Sequence, residues 1–101
     1  MPNVPLVIVE QEVEGALRQK TRDQVCEDFG FERAAPCAEL RLDANPRIAA
    51  RSLYTRMREA TDTGASFLYV IRRQSQRGGL WDAIWDRLQR ASSRTYPGKS
   101  G

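Results

Sequence analysis

The sequence lacks histidine altogether and contains only two cysteines among its 101 residues. Without histidine, the most usual general base is missing, and so are the Ser/His and Cys/His pairs that activate nucleophiles. The two cysteines, Cys26 and Cys37, have no histidine to complete a zinc ligand set with them. The sequence therefore predicts no catalytic residues, no metal site and no cofactor, and hydrolase chemistry by this chain alone is not expected.

Long apolar runs are also absent. The apolar segment at residues 4–9 is far shorter than the roughly 20 residues that a bilayer span needs, and it lacks the basic flank of a signal peptide. We therefore predict no membrane association and a cytoplasmic protein. Intracellular chains rarely keep disulfides, so two unpaired, partly buried thiols are favoured over a disulfide between Cys26 and Cys37.

The charge distribution is uneven. The formal net charge is +3 and the sequence pI is near 9.2, which mildly favours anionic partners. Acidic residues are frequent in the first third of the chain, whereas arginines crowd the remainder. These arginines are Arg47, Arg51, Arg56, Arg58, Arg72, Arg73, Arg77, Arg87, Arg90 and Arg94.

Hydrophobic periodicity predicts three strands alternating with three helices. Short apolar runs favour strands, and apolar residues at three- and four-residue steps favour amphipathic helices. The predicted strands cover residues 4–9, 37–42 and 66–71, with the second at an edge, and the predicted helices cover residues 12–29, 46–61 and 80–91. Asn45 and Pro46 form a good helix start, because Asn caps free backbone N–H groups and proline suits the first helical position.

This order predicts a small three-layer Rossmann-like α/β fold, βαβαβα, with a mainly parallel three-stranded sheet. The chain is short enough for one domain only. We assign residues 1–93 to a single α/β domain and residues 94–101 to a flexible basic tail.

A string of residues in the second half carries a family resemblance. It reads Leu53-Tyr54, Met57-Arg58 and Gly64, then Gly79-Leu80, Ala83-Ile84, Asp86-Arg87-Leu88 and Arg90-Ala91. This string resembles the closing pattern of the C-terminal accessory domain of the long, two-domain threonylcarbamoyl-AMP synthases. It covers residues 48–92 and departs from the family pattern at Met57, Thr61 and Trp81.

The resemblance implies a non-catalytic regulatory or interaction domain linked to threonylcarbamoyladenosine formation in tRNA. The expected partner is the catalytic domain of a synthase, which has no counterpart in this chain, and ATP and tRNA are less direct candidates. The alternative hypothesis is a small basic RNA-binding or protein-docking module unrelated to that pathway.

The segment between the third strand and the third helix is the best candidate for an anion site. It contains Arg72, Arg73, Arg77, Gly78 and Gly79 just before a helix N-terminus, where open α/β sheets often bind anions. The alternative is that the glycines simply make the turn, that the arginines are solvated, and that Asp82 satisfies the helix dipole.

Three further groups are candidates for contact with a partner or with RNA. Trp81 and Trp85 either pack in the core or form an exposed docking face. Arg58 either pairs with a nearby carboxylate such as Asp62 or reaches a partner. On the third helix, Asp86 and Arg87 belong either to a buried network or to a domain contact, and Asp86 can also pair with Arg90 one turn later.

The last arginines have the spacing of a helical ridge. Arg87, Arg90 and Arg94 lie at i, i+3 and i+7, which would suit RNA phosphates. The alternative is that these cations complement the dipole near a helix C-terminus.

Overall fold

The computed structural model describes residues 4–10, 19–73 and 75–96. Four strands and three helices are present within these ranges. In chain order they are β1 (Leu6–Glu10), α1 (Gln19–Phe29), β2 (Cys37–Glu39), α2 (Pro46–Thr61), β3 (Phe67–Arg72), α3 (Leu80–Ala91) and β4 (Arg94–Tyr96). No helix in the described ranges is long and apolar enough to cross a bilayer.

The strands form one parallel sheet in the order β2-β3-β1-β4. The inner strands β1 and β3 pair from Leu6 opposite Leu68 to Glu10 opposite Arg72. They are buried on both faces, as is usual where helices cover a parallel sheet, and their near-continuous apolar sequences follow from this. The predicted small α/β fold with a parallel sheet is therefore confirmed, as is the edge position of β2.

The two faces of the sheet carry separate cores. The larger core joins one face to α2 and α3, and its main members are Leu6, Ile8, Leu40, Leu53, Leu68, Val70, Trp81, Ile84, Trp85 and Leu88. The smaller core joins the other face to α1, and its members include Val7, Val9, Val25, Cys26, Phe67 and Tyr96. Alternate residues of β1 and β3 point to opposite faces, so each strand contributes to both cores.

Helix α2 starts where the sequence predicts. The side-chain oxygen of Asn45 accepts a hydrogen bond of 2.9 Å from the Arg47 amide, and Pro46 occupies the first turn. This interaction satisfies one of the four backbone N–H groups that a helix start leaves without a partner.

The predicted helix 80–91 is also confirmed. Helix α1 is described only from Gln19, so residues 12–18 of its predicted range lie outside the described residues.

The prediction of a three-stranded sheet is wrong in strand number. Residues 94–96, which we assigned to a flexible tail, form β4 and pair with β1 from Val7 opposite Arg94 to Val9 opposite Tyr96. Arg94 and Thr95 are polar and exposed. The segment therefore has no apolar run like those of the inner strands. The remainder of the predicted tail, residues 97–101, lies outside the described residues, and the domain boundary at residue 93 stays a prediction.

The candidate site at the sheet edge and the outer face of helix α2

The carboxyl ends of β1 and β3 lie side by side, and the helices that follow them cover opposite faces of the sheet. Helix α1 contributes to the smaller core and α3 to the larger one. Such a switch point leaves a crevice beyond the strand ends, which is where open α/β sheets usually bind ligands. Glu10 stands opposite Arg72 at this position, so the edge carries charges of both signs.

The turn after β3 is held by its own hydrogen bonds. The backbone amide of Arg73 donates to Oε1 of Gln76 at 3.0 Å, and the Gln76 amide donates to the Arg73 carbonyl at 3.1 Å. Gln76 is buried, unlike the exposed Arg77 beside it. Gly78 and Gly79 both have positive φ, 77° and 53°, a region that favours glycine. The two glycines therefore make the turn.

The start of α3 already has an anionic partner. Oδ1 of Asp82 accepts a hydrogen bond of 3.0 Å from the Gly78 amide. A carboxylate in the first turn also complements the positive end of the helix dipole. An external anion at this helix start would compete with Asp82, which agrees with the alternative that Asp82 satisfies the dipole.

Arg72 stacks on a buried tryptophan. The central carbon of its guanidinium lies 5.3 Å from the centroid of the Trp85 ring, within the range of a cation–π interaction. Trp85 is 2% exposed and Trp81 is 8% exposed. Both rings belong to the larger core, so the structure selects core packing over an exposed docking face for these two residues. Neither ring offers a free face to RNA or to a protein partner.

The arginine ridge is not formed, because the helix ends too early. Helix α3 stops at Ala91, and Ser92 already has an extended backbone with ψ of 149°. Arg94 lies instead on β4, where Nη1 is 3.7 Å from Oδ2 of Asp28 and the guanidinium lies over the Tyr96 ring. The prediction that Arg94 continues the helical row of Arg87 and Arg90 is therefore wrong.

The expected pair within α3 is present. Nε of Arg90 lies 3.4 Å from Oδ2 of Asp86, and both side chains are largely exposed. Exposed pairs of this kind contribute little to stability. Arg87 is exposed on the same helix, and its contact with RNA or a partner stays a prediction. The basic surface that would favour the RNA-binding alternative is therefore smaller than the sequence suggests.

The outer face of α2 combines an aromatic side chain with several cations. Arg47, Arg51, Tyr54 and Arg58 share one side of the helix, opposite the buried side that carries Leu53. Tyr54 is 71% exposed. No ion pair of Arg58 is seen within the described part of the chain, so the predicted pairing with Asp62 is absent there.

Tyr54 belongs to the motif string, but the sequence pattern does not mark it as a contact residue. Tyrosine and arginine are the residue types enriched at energetically important protein contacts. A tyrosine at a helix position that faces away from the core is the signal that would have singled it out. We call the surface formed by Arg47, Arg51, Tyr54 and Arg58 the outer α2 face.

The cysteines have no assigned chemistry. Both are free thiols, with Cys26 buried and Cys37 half-buried, as the sequence predicts. Burial raises the pKa of the Cys37 thiol above its ordinary value, which lowers the fraction of reactive thiolate at neutral pH. No group of metal-binding side chains occurs among residues 4–10, 19–73 and 75–96.

Comparison with solved structures supports the fold. The chain matches the crystal structure of the C-terminal Sua5 domain of a hypothetical Sua5 protein from Pyrococcus horikoshii, with a TM-score of 0.60 and 17% sequence identity. The match covers 96% of this chain and 99% of that one. A search of curated proteins finds no significant match.

Comparison with protein families gives the stronger result. Residues 1–93 match the family described as threonylcarbamoyl-AMP synthase, C-terminal domain. The match extends beyond the motif string of residues 48–92 to the segment that contains the first strand and helix. The chain therefore belongs to the family of threonylcarbamoyl-AMP synthase C-terminal domains.

Proposed function

We propose that this chain is a non-catalytic accessory domain that binds the catalytic domain of a threonylcarbamoyl-AMP synthase in the cytoplasm. Through that contact it would regulate or support the formation of threonylcarbamoyladenosine in tRNA. The family match over residues 1–93 carries this proposal, because an accessory domain acts by contact with the domain it accompanies. The catalytic residues, ATP and threonine then belong to the partner.

The outer α2 face is the surface that we assign to this contact. Tyr54 supplies a large aromatic area with little side-chain entropy to lose, and Arg51 and Arg58 flank it on adjacent turns. The face opposes the buried side of α2, so a partner can occupy it without disturbing the core. Its cations favour a partner with carboxylates at the complementary positions.

The direct test is isothermal titration of this chain with the catalytic domain of a synthase from the same organism. Saturable binding is expected. Parallel titrations with ATP and with tRNA at two salt concentrations separate the alternatives. Binding to tRNA alone, weakening steeply with salt, would replace the proposal with the RNA-binding hypothesis, because counterion release makes phosphate contacts salt-dependent. No heat from any titration would contradict both.

Two substitutions locate the surface. Tyr54→Ser and Arg58→Glu are each expected to weaken binding to the catalytic domain roughly tenfold or more, the effect of losing a contact worth about 1.4 kcal/mol. Tyrosine and serine have similar helix propensities, so the fold should be retained. Lys20→Glu on α1 makes the same charge reversal at an exposed helix position on the opposite face of the sheet and serves as the matched control. If this control weakens binding equally, the contact is not at the outer α2 face.

A weaker second site is proposed at the turn after β3. Arg72 is the last residue of β3, and the turn that follows contains Arg73, Arg77, Gly78 and Gly79. Open α/β sheets often bind anions beyond the carboxyl ends of their strands. Because Asp82 occupies the helix start, we expect ATP to bind weakly to the unmodified chain. Asp82→Ala should strengthen ATP binding measured by titration. An unchanged or weaker affinity would remove this turn as an anion site.

A further inference from the structure

Strand β2 is an edge of the sheet, and its outward backbone groups can be identified from its hydrogen bonds. The Leu40 amide donates to the Tyr69 carbonyl at 2.8 Å, and the Pro36 carbonyl accepts from the Ser66 amide at 2.7 Å. Residues 36 and 40 therefore face β3. Backbone groups alternate along an extended chain, so those of Glu39, the last residue of β2, face away from the sheet. Continued past Leu40, the same alternation places the backbone groups of Arg41, just beyond β2, on the outward side. An edge of this kind is a template for another strand.

The charges on this edge alternate in sign. Glu39 and Arg41 are two residues apart and point to the same side of the sheet, where Nε of Arg41 lies 3.5 Å from Oε1 of Glu39. The Arg41 side chain is 79% exposed and the Glu39 side chain 25% exposed. This pair alone would be a weak surface ion pair.

The edge is also open beside α2. A cleft of about 210 Å³ lies along it, lined by residues of β2 and of the second half of α2, together with Arg41 just after β2 and Thr63 just after α2. Its charged members are Glu39, Arg41, Arg56 and Glu59, which is two carboxylates and two guanidiniums. A surface with equal numbers of both signs is suited to meet itself rather than a partner of one sign.

We propose that a second copy of this chain pairs with β2 across a two-fold axis, giving an antiparallel β2 contact centred on Leu40. In that register Glu39 stands opposite the partner's Arg41, and Arg41 opposite the partner's Glu39. Oppositely charged residues directly across an antiparallel pair are stabilising, and like charges are destabilising. The two parallel sheets then join into one sheet with no exposed β2 edge.

The charges select this register over its neighbours. Only registers that pair outward-facing residues with each other keep the hydrogen-bond ladder. The next such register on one side places Glu39 opposite the partner's Glu39. The next one on the other side places Arg41 opposite the partner's Arg41 and Glu39 opposite the partner's Asp43. The register centred on Leu40 is therefore favoured electrostatically, and it also turns the two clefts toward each other.

The isologous contact is independent of the outer α2 face, because Tyr54 and Arg58 are not among the side chains that line the cleft. A dimer would therefore leave the outer α2 face of each subunit available. Failure of the dimer would leave the proposed function unaffected, and failure to bind the catalytic domain would not remove the dimer.

Sedimentation velocity over a wide range of protein concentration tests the proposal. The unmodified chain is expected to show a concentration-dependent monomer–dimer equilibrium. Glu39→Arg or Arg41→Glu alone places like charges opposite each other at both symmetric positions and should raise the dimer dissociation constant at least about tenfold. The double variant Glu39→Arg/Arg41→Glu restores opposite charges in the same register and should recover the dimer.

Asp86→Arg is the matched control, since it reverses an exposed charge on α3 away from β2. It should leave the dimer unchanged. Circular dichroism of each variant checks that the fold is retained, and Glu39 suits substitution because its backbone groups do not pair with β3. A chain that is monomeric at every concentration would overturn the proposal. So would a dimer that the single variants leave intact, or one that the double variant fails to restore.

Discussion

The hydroxyl of Tyr96 donates a hydrogen bond of 2.8 Å to Oδ2 of Asp28 and so joins the last described strand to the end of α1. The same carboxylate accepts from Nε2 of Gln24 at 2.9 Å and lies 3.7 Å from Nη1 of Arg94. Tyr96 itself is buried in the smaller core. The contact therefore holds β4 against the sheet from the side of α1.

Removing the Tyr96 hydroxyl tests how much this contact stabilises the fold. Tyr96→Phe retains the ring in the core and leaves the Asp28 carboxylate without its phenol donor. The melting temperature is expected to fall by several degrees, since small domains respond strongly to the loss of one charge-assisted hydrogen bond. Thermal unfolding followed by circular dichroism measures it. An unchanged melting temperature would mean that β4 is held by its ladder to β1 alone.

Acid should weaken the same contact. The hydrogen bond from Tyr96, and then that from Gln24, hold the pKa of Asp28 below its ordinary value of 3.8, while burial acts in the opposite direction. A lowered carboxyl pKa contributes stability that is present above the unfolded pKa and is lost as the pH falls through the folded pKa.

The stability difference between the unmodified chain and Asp28→Asn should therefore be full at neutral pH and shrink below about pH 4. Urea unfolding at a series of pH values measures this difference. A difference that stays constant down to strongly acidic pH would show that Asp28 titrates as it does in the unfolded chain.

High pH should weaken the same contact by ionising Tyr96. Burial, and then the hydrogen bond to Asp28, raise the pKa of Tyr96 well above its ordinary value of 10.0. A raised tyrosine pKa contributes stability that is present below the unfolded pKa and is lost as the pH rises above it. Burial also raises the pKa of Tyr69, so tyrosinate absorbance should show two phenols that ionise later than a free tyrosine, with Tyr96 the later. In Tyr96→Phe the late component should lose one phenol.

The stacked tryptophan offers a test of the larger core. Trp85→Ala is expected to lower the free energy of unfolding by about 3–5 kcal/mol, because it leaves a large cavity beneath α3 and removes the ring under Arg72. Leu80→Ala on the same helix changes a half-exposed side chain and should cost much less. Urea unfolding distinguishes the two. Equal costs would contradict the central position of Trp85 in the core.

The backbone at the candidate anion site should not tolerate a side chain at Gly79. Gly79 has φ of 53° and ψ of −129°, and a Cβ added there would meet no atom within 4 Å, so any cost comes from the backbone. Gly79→Ala is expected to lower the free energy of unfolding by roughly 1–3 kcal/mol. Ser75→Ala in the same turn should change it by less than about 0.5 kcal/mol. Urea unfolding of both variants measures these changes, and comparable values would show that the turn adjusts its conformation.

Most helices and strands could be predicted from local pattern. The start of α2 at Asn45 and Pro46, and the range 80–91 of α3, depend on capping chemistry and on the apolar stripe, which neighbouring residues alone determine. The parallel sheet also follows from the alternation of strands with helices long enough to be crossovers. Strand β4 could not be predicted, because its three residues gain their order from β1 and from Asp28, both distant in sequence.

The candidate site could be predicted only in part. The position of the arginine-rich turn beside a helix start follows from the order of the elements. The hydrogen bond from the Gly78 amide to Asp82 and the stacking of Arg72 on Trp85 depend on side-chain packing, which the order does not show. The prediction of a helical row of Arg87, Arg90 and Arg94 required the helix to continue to residue 94, but α3 ends at Ala91.

The class of fold and the family can be recognised from the amino-acid sequence, because both are expressed in periodicity and in motif residues that act locally. The strand order, the burial of Trp81 and Trp85, the exposure of Tyr54 and the pairing of Asp28 with Tyr96 are visible only in the folded molecule. Burial and pairing are set by contacts between segments far apart in the chain, and no local pattern records which segments will meet.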